Sequence, residues 1–202
     1  MYTPKINRND NPEDHRKFIH ENGFGLLINQ VEGKPWATHL PLVLSEDGMI
    51  LKGHVARGNK QWRSFNENPD VLAVFSGPHA YISSSWYDHE NVPTWNYIAV
   101  HVSGKIKITE GEELLHSLKE LTNKYEKASA CPVTVEGMSP KFLEAEIRGI
   151  VSFEIAIEKI EASYKLSQNW DDKNYSRIVE KLERRNEDGS TKIAGEMKEL
   201  RP

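Results

Sequence analysis

Residues 81–109 read YISSSWYDHENVPTWNYIAVHVSGKIKIT, and the second half of this stretch decides the fold. From Trp95 to Thr109 the chain alternates. Tyr97, Ala99 and His101 fall on one face and Ile98, Val100 and Val102 on the other, the period-two pattern of a strand with one buried face. The first half predicts a strand over Ala80–Trp86, with Tyr81, Ser83 and Ser85 pointing one way and Ile82, Ser84 and Trp86 the other. Val71–Ser76 reads as a separate strand, cut off by the breaker pair Gly77-Pro78. Asp88, His89 and Glu90 read as a solvated loop tip.

Working outward, strands are expected at Phe24–Asn29, Trp36–Leu44 and Met49–Val55. The turn-forming runs Glu32-Gly33-Lys34-Pro35 and Ser45-Glu46-Asp47-Gly48 part them at hairpin spacing, which predicts antiparallel pairing. A short helix is expected over Asp10–Asn22, stopped by Asn22-Gly23, and a brief one over Asn59–Asn68, stopped before Pro69. Downstream, Leu114, Leu115, Leu118 and Leu121 recur at helical spacing within Gly111–Lys127. Ser139–Ile147 reads as a helix with Pro140 in its first turn, and a closing strand runs from Ile150 through Tyr164. Strands in quick succession with few long helices predict a mainly β protein, a small antiparallel barrel with peripheral helices. Beyond Trp170 the composition turns polar and charge-balanced. Helices around Tyr175–Arg185 and Lys192–Leu200, parted by Asp188-Gly189, predict a C-terminal helical appendage (171–202) on a barrel domain (1–170).

The composition narrows the function. The chain has 202 residues, a formal charge of -4 and 28% charged residues, so its overall field attracts neither nucleic acid nor an anionic membrane. It has no apolar run long enough to span a bilayer and no signal-peptide core, and the expected location is cytoplasmic. Cys131 is the only cysteine and supports neither an internal disulfide nor a zinc site. His39, His54, His79, His89 and His101 show no H-x-x-x-H or H-E-x-x-H spacing, so no metal site is expected. Glycine-rich nucleotide loops and the G-x-S-x-G elbow are absent. A phosphorylated ligand would have to be held by side chains on strands and turns.

One turn supplies them. GHVARGNKQW (Gly53–Trp62) brings His54, Arg57, Asn59 and Lys60 together, pairing a planar guanidinium fork with a point charge, both suited to phosphate. If Lys60 opens a helix, its first N–H groups add to the attraction for an anion. The plainer alternative is a turn with two solvated cations. Ser83–Ser85 with Trp86 and Trp95 offer hydroxyl donors and flat walls for an aromatic ligand, or else simply pack a strand crossover.

The motifs ATHLPLVL (37–44), LKGHVARGNKQW (51–62), GPHAYISSSWY with VPTWNYIAVHVSG (77–104) and YKLSQN (164–169) occur in this order, and the chain resembles the PaiB-type FMN-binding negative transcriptional regulators. These belong to the FMN-binding split β-barrel superfamily that includes pyridoxamine-phosphate oxidases. The resemblance implies a six-stranded antiparallel Greek-key split barrel acting as a homodimer, with FMN in the cleft between subunits. It places Arg57 and Lys60 at the phosphate, flanked by His54 and Asn59. It places Ser84, Trp86, Thr94, Trp95 and Asn96 along the flavin or the dimer-side wall, Thr38, His39 and Pro41 beside the ring, and Gln168 and Asn169 at its C-terminal side. Where relatives read NPxW and SPSWY, this chain has NKQW and SSSWY, which softens two loops. The implied function is negative regulation of protease production and sporulation. With no helix-turn-helix signal, direct DNA contact is not expected, and the route is indirect, through a partner protein or the state of the flavin. Two alternatives stay open: an FMN-dependent oxidoreductase with His39 or His101 moving a proton, and a haem-handling split barrel with an axial histidine.

Overall fold

Eight strands in one sheet and five α-helices are present in the computed structural model, which describes residues 1–201. The strands are β1 (Arg8–Asn9), β2 (Phe24–Val31), β3 (Lys34–Pro41), β4 (Val43–Leu44), β5 (Ile50–Ala56), β6 (Asp70–Ile82), β7 (Thr94–Thr109) and β8 (Ile150–Lys165). Their order is β3-β2-β6-β7-β8-β5-β4, with β1 also on β8. The helices are α1 (Pro12–Glu21), α2 (Gly111–Glu126), α3 (Pro140–Arg148), α4 (Asp172–Arg185) and α5 (Asp188–Leu200). The expected count of six strands is therefore corrected to eight. The extra strands are the two-residue β1 and β4, too short to show a period, and β4 arises because the expected strand Trp36–Leu44 breaks between Pro41 and Val43. The chain condenses into two units. One comprises residues 1–15, 76–100 and 161 onward, the other residues 16–75 and 101–160.

In the unit of residues 16–75 and 101–160, β2 and β3 form a hairpin from Phe24↔Pro41 to Val31↔Lys34. Its two central residues, Glu32 and Gly33, have φ of 52° and 73°, the left-handed pair that a two-residue hairpin needs to match strand twist. Pro35 is tolerated because β3 ends the strand order, where a missing N–H costs no ladder bond. The core gathers Leu27, Leu51, Phe65, Phe75, Phe153 and Ile155, all fully buried, with Phe65 edge-on to Phe153 at 5.7 Å. Gly53 on β5 admits this packing: a Cβ there would stand 2.9 Å from Leu42 Cδ2 and 3.0 Å from Phe153 Cζ.

In the other unit, α4 and α5 bury Tyr175, Ile178, Leu182, Ile193, Ala194 and Met197. The Tyr175 hydroxyl donates to the Met197 carbonyl at 2.7 Å. Asp171 caps α4 by accepting from the Asn174 N–H at 3.0 Å.

Three further expectations are corrected here. β6 runs unbroken through Gly77-Pro78, because β2's ladder with β6 ends at Val74 and no N–H is called for at Pro78 on that edge. The strand expected over Ala80–Trp86 stops at Ile82. Ser83 Oγ accepts from the Ser85 N–H and caps a 3-10 turn over Ser84–Trp86, a local bond that competes with the ladder. The break between the last two helices lies at left-handed Asn186, φ 53°, with Asp188-Gly189 already inside α5. Asp88, His89 and Glu90 are exposed, as expected of a solvated tip, but Asp88 is not free of partners. It accepts from Lys173 at 2.7 Å and Asn174 at 3.0 Å, and with His89 these hold its carboxyl far below the usual range.

Candidate functional site

The basic turn leaves the end of β5. Ala56 and Asn59 close it through Asn59 N–H to Ala56 O at 2.8 Å, leaving Arg57 and Gly58 at its tip. Arg57 is fixed by carbonyls around the C-terminus of α3. Its Nε donates to Arg148 O at 2.7 Å, its Nη2 to Ile150 O at 2.8 Å and its main-chain N–H to Gly149 O at 2.8 Å. A helix C-terminus carries partial negative charge and unsatisfied carbonyls, which suits a guanidinium. Trp62 Nε1 donates back to Arg57 O at 2.9 Å and ties the two ends of the turn together.

Lys60 and Arg57 are exposed, and Arg63 lies over the Trp62 ring at 5.8 Å. None of the three has a carboxylate partner among the described residues. The helix expected over Asn59–Asn68 is a five-residue 3-10 turn, Lys60–Ser64. The Gln61 N–H is taken by Asn59 Oδ1 at 3.0 Å, and a 3-10 turn of five residues has little dipole, so the grip on an anion rests mainly on the cationic side chains. Thr38 lies beside Asn59, whose Nδ2 donates to Thr38 Oγ1 at 2.9 Å.

His39 is exposed and stacks on Phe24, ring centroids 6.1 Å apart, while Pro41 ends β3. His54 is half-buried on β5, opposite Ser152, and burial depresses its pKa below the ordinary histidine value. Its folded pKa lies below its unfolded one. The unfolded chain therefore takes up the proton first, and stability present above about pH 6.5 is lost as the pH falls towards the folded value. We predict that His54→Gln flattens this acid decline, measured as the urea midpoint between pH 7 and pH 5.

The remaining expected residues lie in the other unit. Trp95 is 53% exposed and meets Tyr81 edge-on at 5.8 Å and His79 at 5.9 Å. Trp86, which ends the 3-10 turn begun by Ser84, stacks beneath the Arg185 guanidinium at 4.7 Å. Thr94 accepts from the Lys165 ammonium. Asn96 is fully buried: its Oδ1 accepts from Ser167 Oγ at 3.0 Å and its Nδ2 reaches Met197 Sδ at 3.5 Å. Gln168 donates to Tyr164 O at 2.6 Å and Ile6 O at 3.0 Å, and Asn169 next to it is exposed. Asn96 and Gln168 are thus satisfied within the protein, whereas Trp95 and Asn169 are open.

A cavity of about 620 Å³ lies elsewhere in the second unit, lined by Asn29, Pro35, Asp70, Ser103 and Glu158 among others, and none of the expected residues borders it. Sequence reasoning passed over Gln61 and Arg185, and only a spatial neighbour identifies either. Among the described residues no three His, Cys, Asp or Glu side chains are grouped to hold a metal, and no helix is long and apolar enough to cross a membrane.

A model of the family described as "Putative FMN-binding domain" matches residues 1–159. Protease synthase and sporulation protein PAI 2 of Bacillus subtilis is 49% identical over 185 residues, which cover 91% of this chain and 89% of that protein. Among solved structures, the FAD and haem binding protein from Mycobacterium smegmatis matches with a TM-score of 0.63 at 12% identity, covering 84% of this chain and 79% of its own. The flavocytochrome Anf3 from Azotobacter vinelandii matches with a TM-score of 0.60 at 12% identity, covering 84% and 75%. At such identities the structural likeness is one of fold, the split β-barrel.

Proposed function

The chain belongs to the FMN-binding family whose model spans its residues 1–159, and on that premise we propose that it binds FMN and acts as a dimeric regulatory protein like its Bacillus subtilis relative. One observation carries the cofactor reading. Arg57, Lys60 and Arg63 stand within seven residues without a carboxylate partner, in a chain with 30 acidic residues against 26 basic ones. Lys52, Lys107 and Lys119, in contrast, each have a glutamate within 4 Å. A cationic turn left without a carboxylate partner, with Arg57 held by main-chain carbonyls, is a donor set suited to a phosphate monoester.

In this reading Arg57 and Lys60 hold the phosphate, Arg63 adds charge, and Asn59 and Thr38 fix the turn. Bound flavin supplies reversible electron transfer, and the chain's own residues supply binding and orientation. Self-association is supported by β3, whose residues are mostly exposed, and by the neighbouring Phe24 at 65% exposure, apolar surface that a second copy would cover. A net charge of -4 favours regulation through a partner protein or the flavin's state over direct DNA contact, at a cytoplasmic location.

Titration of the purified, flavin-free chain with FMN, followed by flavin fluorescence, tests the proposal. Saturable binding at one flavin per chain is expected. A folded chain that leaves FMN fluorescence unchanged at high micromolar concentration would refute it.

A further inference from the structure

We infer that Gln61, a buried glutamine outside the expected ligand set, is a positioning residue for the phosphate grip, an inference that rests on the FMN reading above. Gln61, the second residue of the turn that Lys60 opens, is fully buried. All of its polar groups are engaged. Nε2 donates to Leu27 O at 3.2 Å and Asn29 Oδ1 at 3.1 Å, and Oε1 accepts from the Thr38 hydroxyl at 2.6 Å. Its main-chain N–H goes to Asn59 Oδ1 at 3.0 Å and its carbonyl accepts from Ser64 Oγ at 2.8 Å.

These bonds form a closed circuit. Asn59 Nδ2 donates to Thr38, Thr38 to Gln61, Gln61 to Asn29, Asn29 Nδ2 to Ser64 at 2.9 Å, and Ser64 back to the Gln61 carbonyl. The direction is determined throughout. The single hydroxyl proton of Thr38 is given to Gln61, so Thr38 must accept from Asn59, which aims Asn59 Oδ1 at the Gln61 N–H. Asn59 is the residue from which the chain turns into Lys60, two positions after Arg57. A polar circuit in a low-dielectric interior is rigid when every member is satisfied and costly when one is removed. At its centre glutamine gives two donors and one acceptor. Glutamate lacks the donors and leucine lacks both.

A glutamine that only filled the core would affect any flavin equally, whereas one that sets the turn affects only ligands bearing the phosphate. The test is therefore the ratio of riboflavin to FMN dissociation constants, measured on the full chain for the wild type, Gln61→Leu, Thr38→Val and Thr38→Ser, with circular dichroism as the check on folding. The wild type is expected to prefer FMN by about 100-fold. Gln61→Leu should lower that ratio by about tenfold or more while riboflavin binding stays within about threefold, Thr38→Val should lower the ratio likewise, and Thr38→Ser, which keeps the hydroxyl, should retain it. If Gln61→Leu does not fold, the Thr38 pair decides: loss of the ratio in Thr38→Val with retention in Thr38→Ser supports the positioning role, and equal behaviour overturns it. A wild type that prefers FMN alongside folded variants that keep the ratio overturns the role of Gln61 alone. A wild type that binds both flavins equally, or neither, overturns the phosphate reading and this inference with it.

Discussion

Gly104→Ala is expected to destabilise the chain by about 3 kcal/mol or more, read as a lower urea midpoint. Gly104 sits inside β7, and a Cβ there would stand 2.2 Å from the main-chain oxygen of Ala156 on the adjacent β8, and 3.0 Å from its carbon. No side chain can rotate aside to relieve a contact with backbone, so the two strands would have to part locally, across the middle of the sheet. Gly195→Ala serves as the comparison. Gly195 lies within α5, a Cβ there meets nothing within 4 Å, and alanine is the better helix former, so this change should stabilise the chain by about 0.5–1 kcal/mol. If Gly104→Ala proved neutral, the close pairing of β7 with β8 would be wrong.

The second large effect concerns the cofactor: the double variant Arg57→Ala/Lys60→Ala should bind FMN about 100-fold more weakly than the wild type. Each charge-assisted hydrogen bond contributes about 1.5–3 kcal/mol, and the lower end applies to both because Arg57 and Lys60 are exposed and screened by solvent. Two such losses correspond to a factor of roughly 10² in dissociation constant. Folding should change little. The carbonyls of Arg148 and Ile150 that Arg57 satisfies lie in an exposed environment, where water takes its place. Wild-type affinity should also fall with added salt, and the double variant should show a shallower dependence. An unchanged FMN affinity in the double variant would remove these cations from the site.

Much of the architecture was legible because it is local. The alternation along β7 survives as buried Asn96, Ile98, Val100, Val102, Gly104 and Ile106 against a more exposed opposite face, and the Glu32-Gly33 pair forms the hairpin its residues require. The misread points depend on partners far along the chain. Pro78 reads as a breaker unless it is known that β2's pairing stops at Val74. Asp88 is the exposed loop residue its neighbours predict, but its bonds to Lys173 and Asn174, over eighty residues on, leave no local signal. The candidate site divides the same way. The clustering of Arg57, Asn59 and Lys60 is visible in ten residues, whereas the circuit through Asn29, Thr38 and Gln61 joins three segments and leaves no local trace. Asn96 and Gln168 stand out only through the resemblance, and the hydrogen bonds that occupy them are long-range or backbone-directed.

The most direct measurement is the position of the phosphate in a crystal structure of the chain grown with FMN. The phosphate is predicted within hydrogen-bond reach of Lys60 Nζ and the Arg57 guanidinium, with Asn59 and Thr38 still bonded to each other. A phosphate found away from this turn, for example in the cavity lined by Asn29, Asp70 and Glu158, would contradict the assignment of the cationic turn as the cofactor's anchor.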